Sequence, residues 1–323
     1  MTVVDVSGPA PQGRRTGRVS LPNNGYRVIL GAAAAVVGAL AVWFLIAVFI
    51  QARPAFSTLG FSWIVQRIWD PSHGKYGLLP FILGTIETTA IAVVLAVPIG
   101  LGTALALAYL VPQRARAALS TTVELLAAVP SVVYGLWGLT ILAPVFGSTV
   151  EPFLTSAFGW TGLFDGPNRG VGLLLAGVIL FIMILPTMVA ISRDVLVVVP
   201  TEQVEGAMAL GATRWQVLRK VVVPGARTGL LGAFTLATGR ALGETVAVAL
   251  VIGNSPFIAH SLKSPAATIP SLIVNNFGES SGLQLSVLFA AGLVLLVIGI
   301  VVNSAARWLV WSAAGSDAGV GAR

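Results

Sequence analysis

Arg240 and Glu244 stand four residues apart inside an otherwise apolar stretch, residues 228–254. On a helix that spacing brings a cation and an anion to one face. Insertion scales put a charge at the bilayer centre at a cost of about 2.5–3.5 kcal/mol. Two such charges persist when they pair or when they face an aqueous path. The residues leave both readings open: a pair that holds a bundle together, or a site lining a pore. In the pore reading, guanidinium offers a planar fork of donors that suits a phosphate or sulfate oxygen. The carboxylate repels a fully deprotonated anion, but it accepts a hydrogen bond from the P–OH of hydrogen phosphate. Sulfate at neutral pH has no such proton. The pairing therefore tilts the expected substrate toward phosphate. Glu87 is another ionisable group in an apolar stretch, in the polar cluster Thr85-Ile86-Glu87-Thr88-Thr89. It either lines the outer vestibule or hydrogen-bonds between helices.

These residues need apolar elements to position them. The chain has 323 residues, 56% hydrophobic and only 10% charged. Globular proteins carry about 25% charged residues, so this composition excludes a disordered chain and points to lipid as the solvent. The mean hydropathy of +0.91 agrees. With no cysteine and only His73 and His260, no disulfide framework, thiolate zinc site or cysteine nucleophile is available. No cofactor is expected. A spanning helix needs about 20 mostly apolar residues. Six stretches qualify: 30–50, 78–111, 125–150, 170–192, 228–254 and 280–306. The expected fold is therefore all-α and polytopic. Thirteen Lys and Arg flank the spans on the side of the termini and five on the other. By the positive-inside rule both termini are cytoplasmic. The first span is too long for a signal-peptide core and reads as a retained helix. Residues 1–27 and 312–323 are expected to be tails around a membrane domain of residues 28–311. The aromatic-rich stretch 51–77 reads as amphipathic and interfacial. Residues 146–169 and 254–282 read as outer loops. Glu124 reads as an acid at the start of the third span, favourable to its dipole.

The fourth and fifth spans are joined by a loop with a definite pattern, residues 200–224. Thr201 is a fair N-cap, and Glu202 and Glu205 suit the positive end of a helix dipole. Gly211 can take the left-handed conformation that stops a helix. Thr213-x-x-Gln216 is a capping box that restarts one, and Pro224 is expected to end it. The result is a cytoplasmic helical hairpin. Its apolar residues Val204, Met208, Leu210, Trp215 and Leu218 suggest a knob that docks into a groove.

Glu205-Gly206-Ala207, then Gly211, then Val221-x-Val223-Pro224 resembles the EAA loop of ABC importer permeases. Gly206 replaces the first Ala of that motif and Val replaces its Ile and Leu, while the Glu, Gly and Pro positions and the spacings hold. The resemblance implies a type I ABC importer permease fold and assigns Glu205, Gly206, Ala207, Gly211 and Pro224 to coupling with an ATPase subunit. Two further stretches are similar to the PstC family of phosphate-specific permease subunits. One runs from Glu124 through Pro130, Tyr134 and Trp137 to Gly138. The other is Gly239-Arg240-Ala241-Leu242-Gly243-Glu244-Thr245 with Gly253-Asn254-Ser255-Pro256. The likeness covers about residues 75–310. It implies a heterodimeric pore with a PstA-like sister permease, a PstB-like ATPase dimer and a PstS-like external phosphate-binding protein. Arg240, Glu244 and Glu87 are the expected pathway residues. The chain has no Gly-x4-Gly-Lys-Ser/Thr phosphate loop, so it is expected to be a permease and not an enzyme, with ATP hydrolysis supplied by partners. The other readings are a permease for another oxyanion, the PstA-type subunit, an ion-gradient-driven carrier, or a non-transporting scaffold.

Overall fold

The structure is a computed structural model that describes the backbone of residues 23–317 and the side chains of residues 25–308. Among the described residues six helical segments are long and apolar enough to cross a membrane: Gly25–Leu59, Leu79–Leu110, Ser131–Thr161, Leu173–Val197, Arg214–Gly243 and Gly282–Trp308. The protein is an all-α, multi-pass membrane protein. Two compact units are distinguished, Met1–Ala47 and Val48–Arg323. The described part of the first is the leading portion of helix α1 (Asn23–Leu59), in which Arg27 is the one charged residue before Ala47. Helix begins at Asn23 and the last helix reaches Asp317, so the expected tail boundaries at 27 and 312 fall inside helices. The remainder of both expected tails, residues 1–22 and 318–323, lies outside the described residues.

In the second unit the end of α1 leads into a small folded cap. Strands β1 (Trp69–Asp70) and β2 (Lys75–Tyr76) pair antiparallel around Gly74, whose φ is +68°. The expected interfacial stretch is thus divided: Phe61 and Ile68 stay 75% and 59% exposed, while its tryptophans turn inward. Trp63 is buried in one apolar cluster with Ala52, Ala55, Leu78, Ile269 and Val287. Trp69 meets Tyr76 and Phe81 edge-on at ring-centroid distances of 5.7 and 5.3 Å. Aromatic rings bury large areas and favour such edge contacts, so the tryptophans stabilise the cap from inside.

Helix α2 (Leu79–Leu105) continues through one π turn, Ala106–Leu110. Helix α3 (Gln113–Ala127) is a separate amphipathic helix, and Ser131 starts the third span. Glu124 therefore sits in the last turn of α3 and not at the head of a span. Its Oε1 lies 3.4 Å from Arg193 Nη2. The third span is built from α4 (Ser131–Trp137), α5 (Ala143–Val145) and α6 (Glu151–Phe158), joined by π turns. It reaches farther than the expected boundary at 150, because Glu151–Phe158 is helix where a loop was expected.

Helix α7 (Leu173–Val197) is the hub. It packs against α2 and also meets α3, α4 and the helices of residues 223–243 and 246–251. Leu173, Leu175, Ile179, Leu180, Met183 and Ile184 are all buried. After α7 come α8 (Thr201–Ala209), α9 (Arg214–Val217), a π turn at Leu218–Val222, and α10 (Val223–Gly243). A short α11 (Val246–Val251) and α12 (Ile269–Asn276) precede α13 (Gly282–Asp317). The fifth span is therefore 214–243 and not 228–254. The chain breaks at Glu244, and residues 246–251 form their own helix packed on α4.

Candidate functional site: a half-buried arginine, a helical lever and an outward hairpin

The break after Gly243 changes the relation of Arg240 to Glu244. Helical spacing brings residues i and i+4 to one face only while the helix continues. Glu244 is instead the C-cap of α10, with extended backbone at φ −70° and ψ 127°. No ion pair joins the two residues; within 4 Å the described ion pairs are His73–Asp70, Arg193–Glu124 and Arg193–Asp194. Arg240 Nη1 donates to Thr187 Oγ1 of α7 at 3.2 Å. Both Arg240 and Glu244 are half-buried. Glu244 carries no side-chain hydrogen bond among the described residues. The expected i,i+4 pair is thus replaced by a guanidinium held on a neutral hydroxyl, with a carboxylate beyond the helix end. Thr187 is a partner that the sequence reading missed. Its only signal is a hydroxyl next to Pro186 in an apolar span.

Beside Arg240, α10 presents a smooth face. Gly232, Leu236, Gly239 and Gly243 recur at intervals of four, three and four and are exposed. Nothing lies within 4 Å of a Cβ placed on any of the three glycines. The opposite side of the helix, with Ala233, Ala237 and Ala241, is buried against the core.

Glu87 is half-buried on α2 and makes no hydrogen bond or ion pair among the described residues. Its neighbour Thr85 makes the interhelical contact instead, accepting from the Ile269 N–H of α12 at 2.9 Å. Thr88 Oγ1 bonds back to Gly84 O at 2.7 Å within α2. The polar cluster therefore divides: Thr85 and Thr88 hold backbone, while the Thr89 hydroxyl and the Glu87 carboxylate are left without a partner. No hydrogen bond brings Glu87 together with Arg240.

The hairpin lies past the C-terminal end of α7. Helix α8 starts at Thr201 with Pro200 before it, and no side chain caps it, so Thr201 is not the cap expected. Gly211 takes φ +83°, the left-handed stop. The Thr213–Gln216 capping box is formed in both directions, at 3.3 and 2.8 Å. Pro224 does not end the second arm. Proline lacks an N–H and its ring clashes with the carbonyl four residues back, but it is tolerated in a first helical turn. The π turn Leu218–Val222 places Pro224 in the first turn of α10. The helix consequently runs without interruption from Arg214 to Gly243. From Arg214 to Arg240 that is about 39 Å at 1.5 Å per residue.

The apolar residues of the hairpin separate into two sets. Val204, Val217, Leu218 and Val222 face the membrane domain in a cluster with Ala104, Ala108 and Leu196. Leu210, Trp215 and Met208 point outward, 91%, 66% and 45% exposed. Val204 and Leu218 thus anchor the knob and the other three form its tip. Glu205, Gly206 and Gly211 are exposed beside it, as is Pro224 at the base, and Ala207 is half-buried.

At the other end of α7, Lys263 is 2% exposed. Its Nζ donates to Thr155 Oγ1 (2.9 Å), Gly166 O (2.8 Å) and Asn168 Oδ1 (2.9 Å). Sequence reading counted Lys263 only as a loop charge. Nothing in its Ser-Leu-Lys-Ser context distinguishes a buried lysine from a solvated one.

Residues 96–312 match the family model for the binding-protein-dependent transport system inner membrane component. The chain is 42% identical to the phosphate transport system permease protein PstC of Mesorhizobium japonicum over 318 residues, covering 96% of this chain and 97% of the relative. It is 45% identical to PstC of Pasteurella multocida over 260 residues, 79% of this chain and 81% of that protein. Among solved structures it resembles a chain of a bacterial ABC transporter importing alginate, with TM-score 0.56, 18% identity, and coverage of 86% and 94%. It also resembles a chain of the MetNI methionine ABC transporter in an inward-facing conformation, with TM-score 0.52, 20% identity, and coverage of 76% and 99%. These structural likenesses carry the fold, that of an ABC importer permease. The outward hairpin, the uninterrupted lever and the matched sequence together place this chain in the family of binding-protein-dependent transport system inner membrane components.

Proposed function

We propose that this chain is a transmembrane subunit of an ATP-driven importer of inorganic phosphate, forming half of the translocation pathway. One observation carries the mechanism: a single helix joins the outward hairpin to Arg240. An ATPase subunit that grips Leu210, Trp215 and Met208 moves the hairpin. The second hairpin arm is continuous with α10 through the π turn Leu218–Val222, so that motion of the hairpin is carried along one helix to the guanidinium. The sister permease covers the smooth glycine face of α10 and completes the path. Rocking of the two halves then alternates access to the site.

In the pathway Arg240 donates to the oxyanion, and Thr187 holds the guanidinium in place when phosphate is absent. Glu244 stands outside the helix as an acceptor for the P–OH of hydrogen phosphate. That separation favours the pathway reading over a structural pair, since a structural pair would be closed. Glu87 is a further unpartnered carboxylate available to the path. The positive-inside bias puts both termini and the hairpin in the cytoplasm. An external phosphate-binding protein meets the opposite face and two ATPase subunits meet the hairpins. ATP is hydrolysed by those subunits.

The test is ATP-dependent phosphate uptake in proteoliposomes holding the reconstituted complex, wild type beside Arg240→Gln. Loss of uptake in a variant that still assembles is the expected result. Normal uptake in Arg240→Gln would remove the residue from the pathway. Uptake by the wild type without ATP would replace the importer with an ion-gradient-driven carrier.

A further inference from the structure

A polar cavity of about 220 Å³ lies at the N-terminal end of α7, away from the hairpin. Asp165, Arg169, Ser255, Lys263 and Ser264 line it. At about 30 Å³ per water, it has room for a small tetrahedral ion with part of its hydration. Its walls are stitched by backbone bonds. Leu173 N–H donates to Ser264 O at 3.1 Å, Leu174 N–H to Leu262 O at 2.8 Å, and Leu262 N–H to Leu163 O at 2.8 Å. Ser261 Oγ donates to Asp165 O at 2.7 Å. The buried Glu151 accepts from the Gly170 N–H at 3.1 Å, which fixes the backbone next to Arg169.

The charge of Lys263 has no counter-ion there. All three of its hydrogen bonds go to neutral oxygens, and among the described residues no carboxylate lies within 4 Å of Nζ. A buried charge is costly unless paired. Arg169 is exposed and makes no side-chain hydrogen bond among the described residues, nor does the Ser255 hydroxyl. One buried cation with no ion pair within 4 Å, one unengaged guanidinium and one unengaged hydroxyl therefore line a small polar space, with the buried Glu151 carboxylate, whose Oε2 has no hydrogen-bond partner, behind Arg169. Asp165 adds a single acceptor at its rim.

From this we infer an outer phosphate subsite, built by Arg169, Ser255 and Ser264 over the field of Lys263, that receives hydrogen phosphate before it reaches Arg240. The ligand and its side of the membrane rest on the importer reading. Arg169 and the Ser255 hydroxyl donate to the oxyanion, and Ser264 Oγ, which lies 3.4 Å from Ser261 Oγ, turns from that contact to join them. Lys263 contributes its charge and no hydrogen bond, since its three protons are taken. Asp165 accepts from P–OH, and so disfavours sulfate, which has none at neutral pH. With about 1.5 Å of rise per residue, Leu173 and Thr187 are about 21 Å apart along α7. The two sites are thus successive stations on one helix.

Equilibrium binding of radiolabelled inorganic phosphate to the intact complex in lipid nanodiscs tests this, without nucleotide or binding protein. Arg240→Gln serves as background to remove the inner site. In that background phosphate still binds. Adding Arg169→Gln weakens it about tenfold or more, and Ser255→Ala about threefold, as expected for a charged and a neutral hydrogen bond. Equal sulfate does not displace phosphate, and Asp165→Asn lets it compete. Absence of phosphate binding in the Arg240→Gln background overturns the subsite. So does unchanged affinity in the triple variant with Arg169→Gln and Ser255→Ala. ATP-driven uptake by wild-type complex, measured in parallel, keeps the importer reading standing in either case. Phosphate binding that depends on Arg169, in a wild-type complex that imports no phosphate with ATP, upholds the subsite and rejects the importer reading.

Discussion

Arg240 of α10 is held by Thr187 of α7 through a single hydrogen bond of 3.2 Å, while Glu244, four residues on, has left the helix. The arginine is thus restrained by a neutral hydroxyl that an anion can replace. Transport should follow from that balance. Removing the charge in Arg240→Gln should lower ATP-driven phosphate uptake by about tenfold to a hundredfold, the worth of one charge-assisted hydrogen bond. Arg240→Lys should recover only part of it, because an ammonium lacks the planar fork. Thr187→Val should leave the charge and change uptake only a few-fold. Equal loss in Thr187→Val and Arg240→Gln would instead mark the contact as structural.

Glu244 should govern selectivity more than rate. In the proposed pathway its carboxylate would accept from a protonated oxyanion and repel a bare one. Glu244→Gln keeps size and hydrogen-bonding capacity while removing that repulsion. Uptake competed by sulfate should therefore appear in Glu244→Gln and be weak in wild type. Charge reversal in Glu244→Lys should abolish or redirect phosphate uptake. Unaltered phosphate uptake and sulfate exclusion in both variants would take Glu244 out of the pathway.

The hairpin offers a coupling test that leaves the pathway intact. Leu210 is almost fully exposed at its tip, whereas Val217 of the anchoring set is buried. Interface hot spots are buried apolar or aromatic anchors worth about 2 kcal/mol or more. Leu210→Asp and Trp215→Ala should weaken capture of the ATPase subunits in co-purification and reduce uptake, with no change in the thermal midpoint of the permease pair. Val217→Asp should instead destabilise the permease itself. Retained ATPase capture in Leu210→Asp/Trp215→Ala would assign the docking surface to other residues.

The order of spans and the hairpin were legible because they rest on local signals. Apolar length marks spans, and a left-handed glycine with a capping box marks a hairpin. Gly211 and Thr213–Gln216 adopt the expected geometry for that reason. The readings that failed depended on where a helix stops inside an apolar run. Residues 228–254 are long enough for one span, and the polar dip at Gly243-Glu244-Thr245 reads equally as a pore-lining face of one helix or as a break; the packing of residues 246–251 on α4 decides for the break, and the i,i+4 relation is lost with it. Pro224 looks like a stop, yet the π turn before it turns it into a start. Thr187 and Lys263 were invisible because their partners lie 53 residues away for Thr187 and 95 to 108 away for Lys263. Trp63 and Trp69 read as interfacial because composition cannot tell an aromatic facing lipid from one facing a cap.

Close helix packing gives a stability prediction. A Cβ on Gly84 of α2 would lie 2.2 Å from the Ala267 carbonyl oxygen, and one on Gly135 of α4 would lie 2.8 Å from Ala247 Cα. Within a helix Gly→Ala ordinarily stabilises by about 0.5–1 kcal/mol. Here backbone must separate, and overpacking costs about 1–3 kcal/mol. Gly84→Ala and Gly135→Ala should lower the thermal midpoint of the complex in detergent, while Gly239→Ala, with open space beyond it, should not lower that of the isolated chain. A rise in all three would show that the packing yields.

Lys263 ties two chain segments to one ammonium: Thr155 on α6, and Gly166 and Asn168 in the loop before α7. Replacing it with methionine keeps the stem but strands three acceptors. Each unsatisfied group costs about 1–3 kcal/mol where water cannot reach it. The acceptors at Gly166 and Asn168 belong to exposed residues, so water can recover much of that loss. The net destabilisation should therefore fall near the cost of one group, about 1–3 kcal/mol, and concentrate in residues 159–170. Hydrogen exchange of the intact complex should show faster exchange there in Lys263→Met, with α8 and α9 unaffected. Arginine should not rescue it, since a planar fork cannot direct three donors as an ammonium does. Unchanged protection of residues 159–170 would mean that the backbone bonds around Ser264 and Leu262 hold the loop without the lysine.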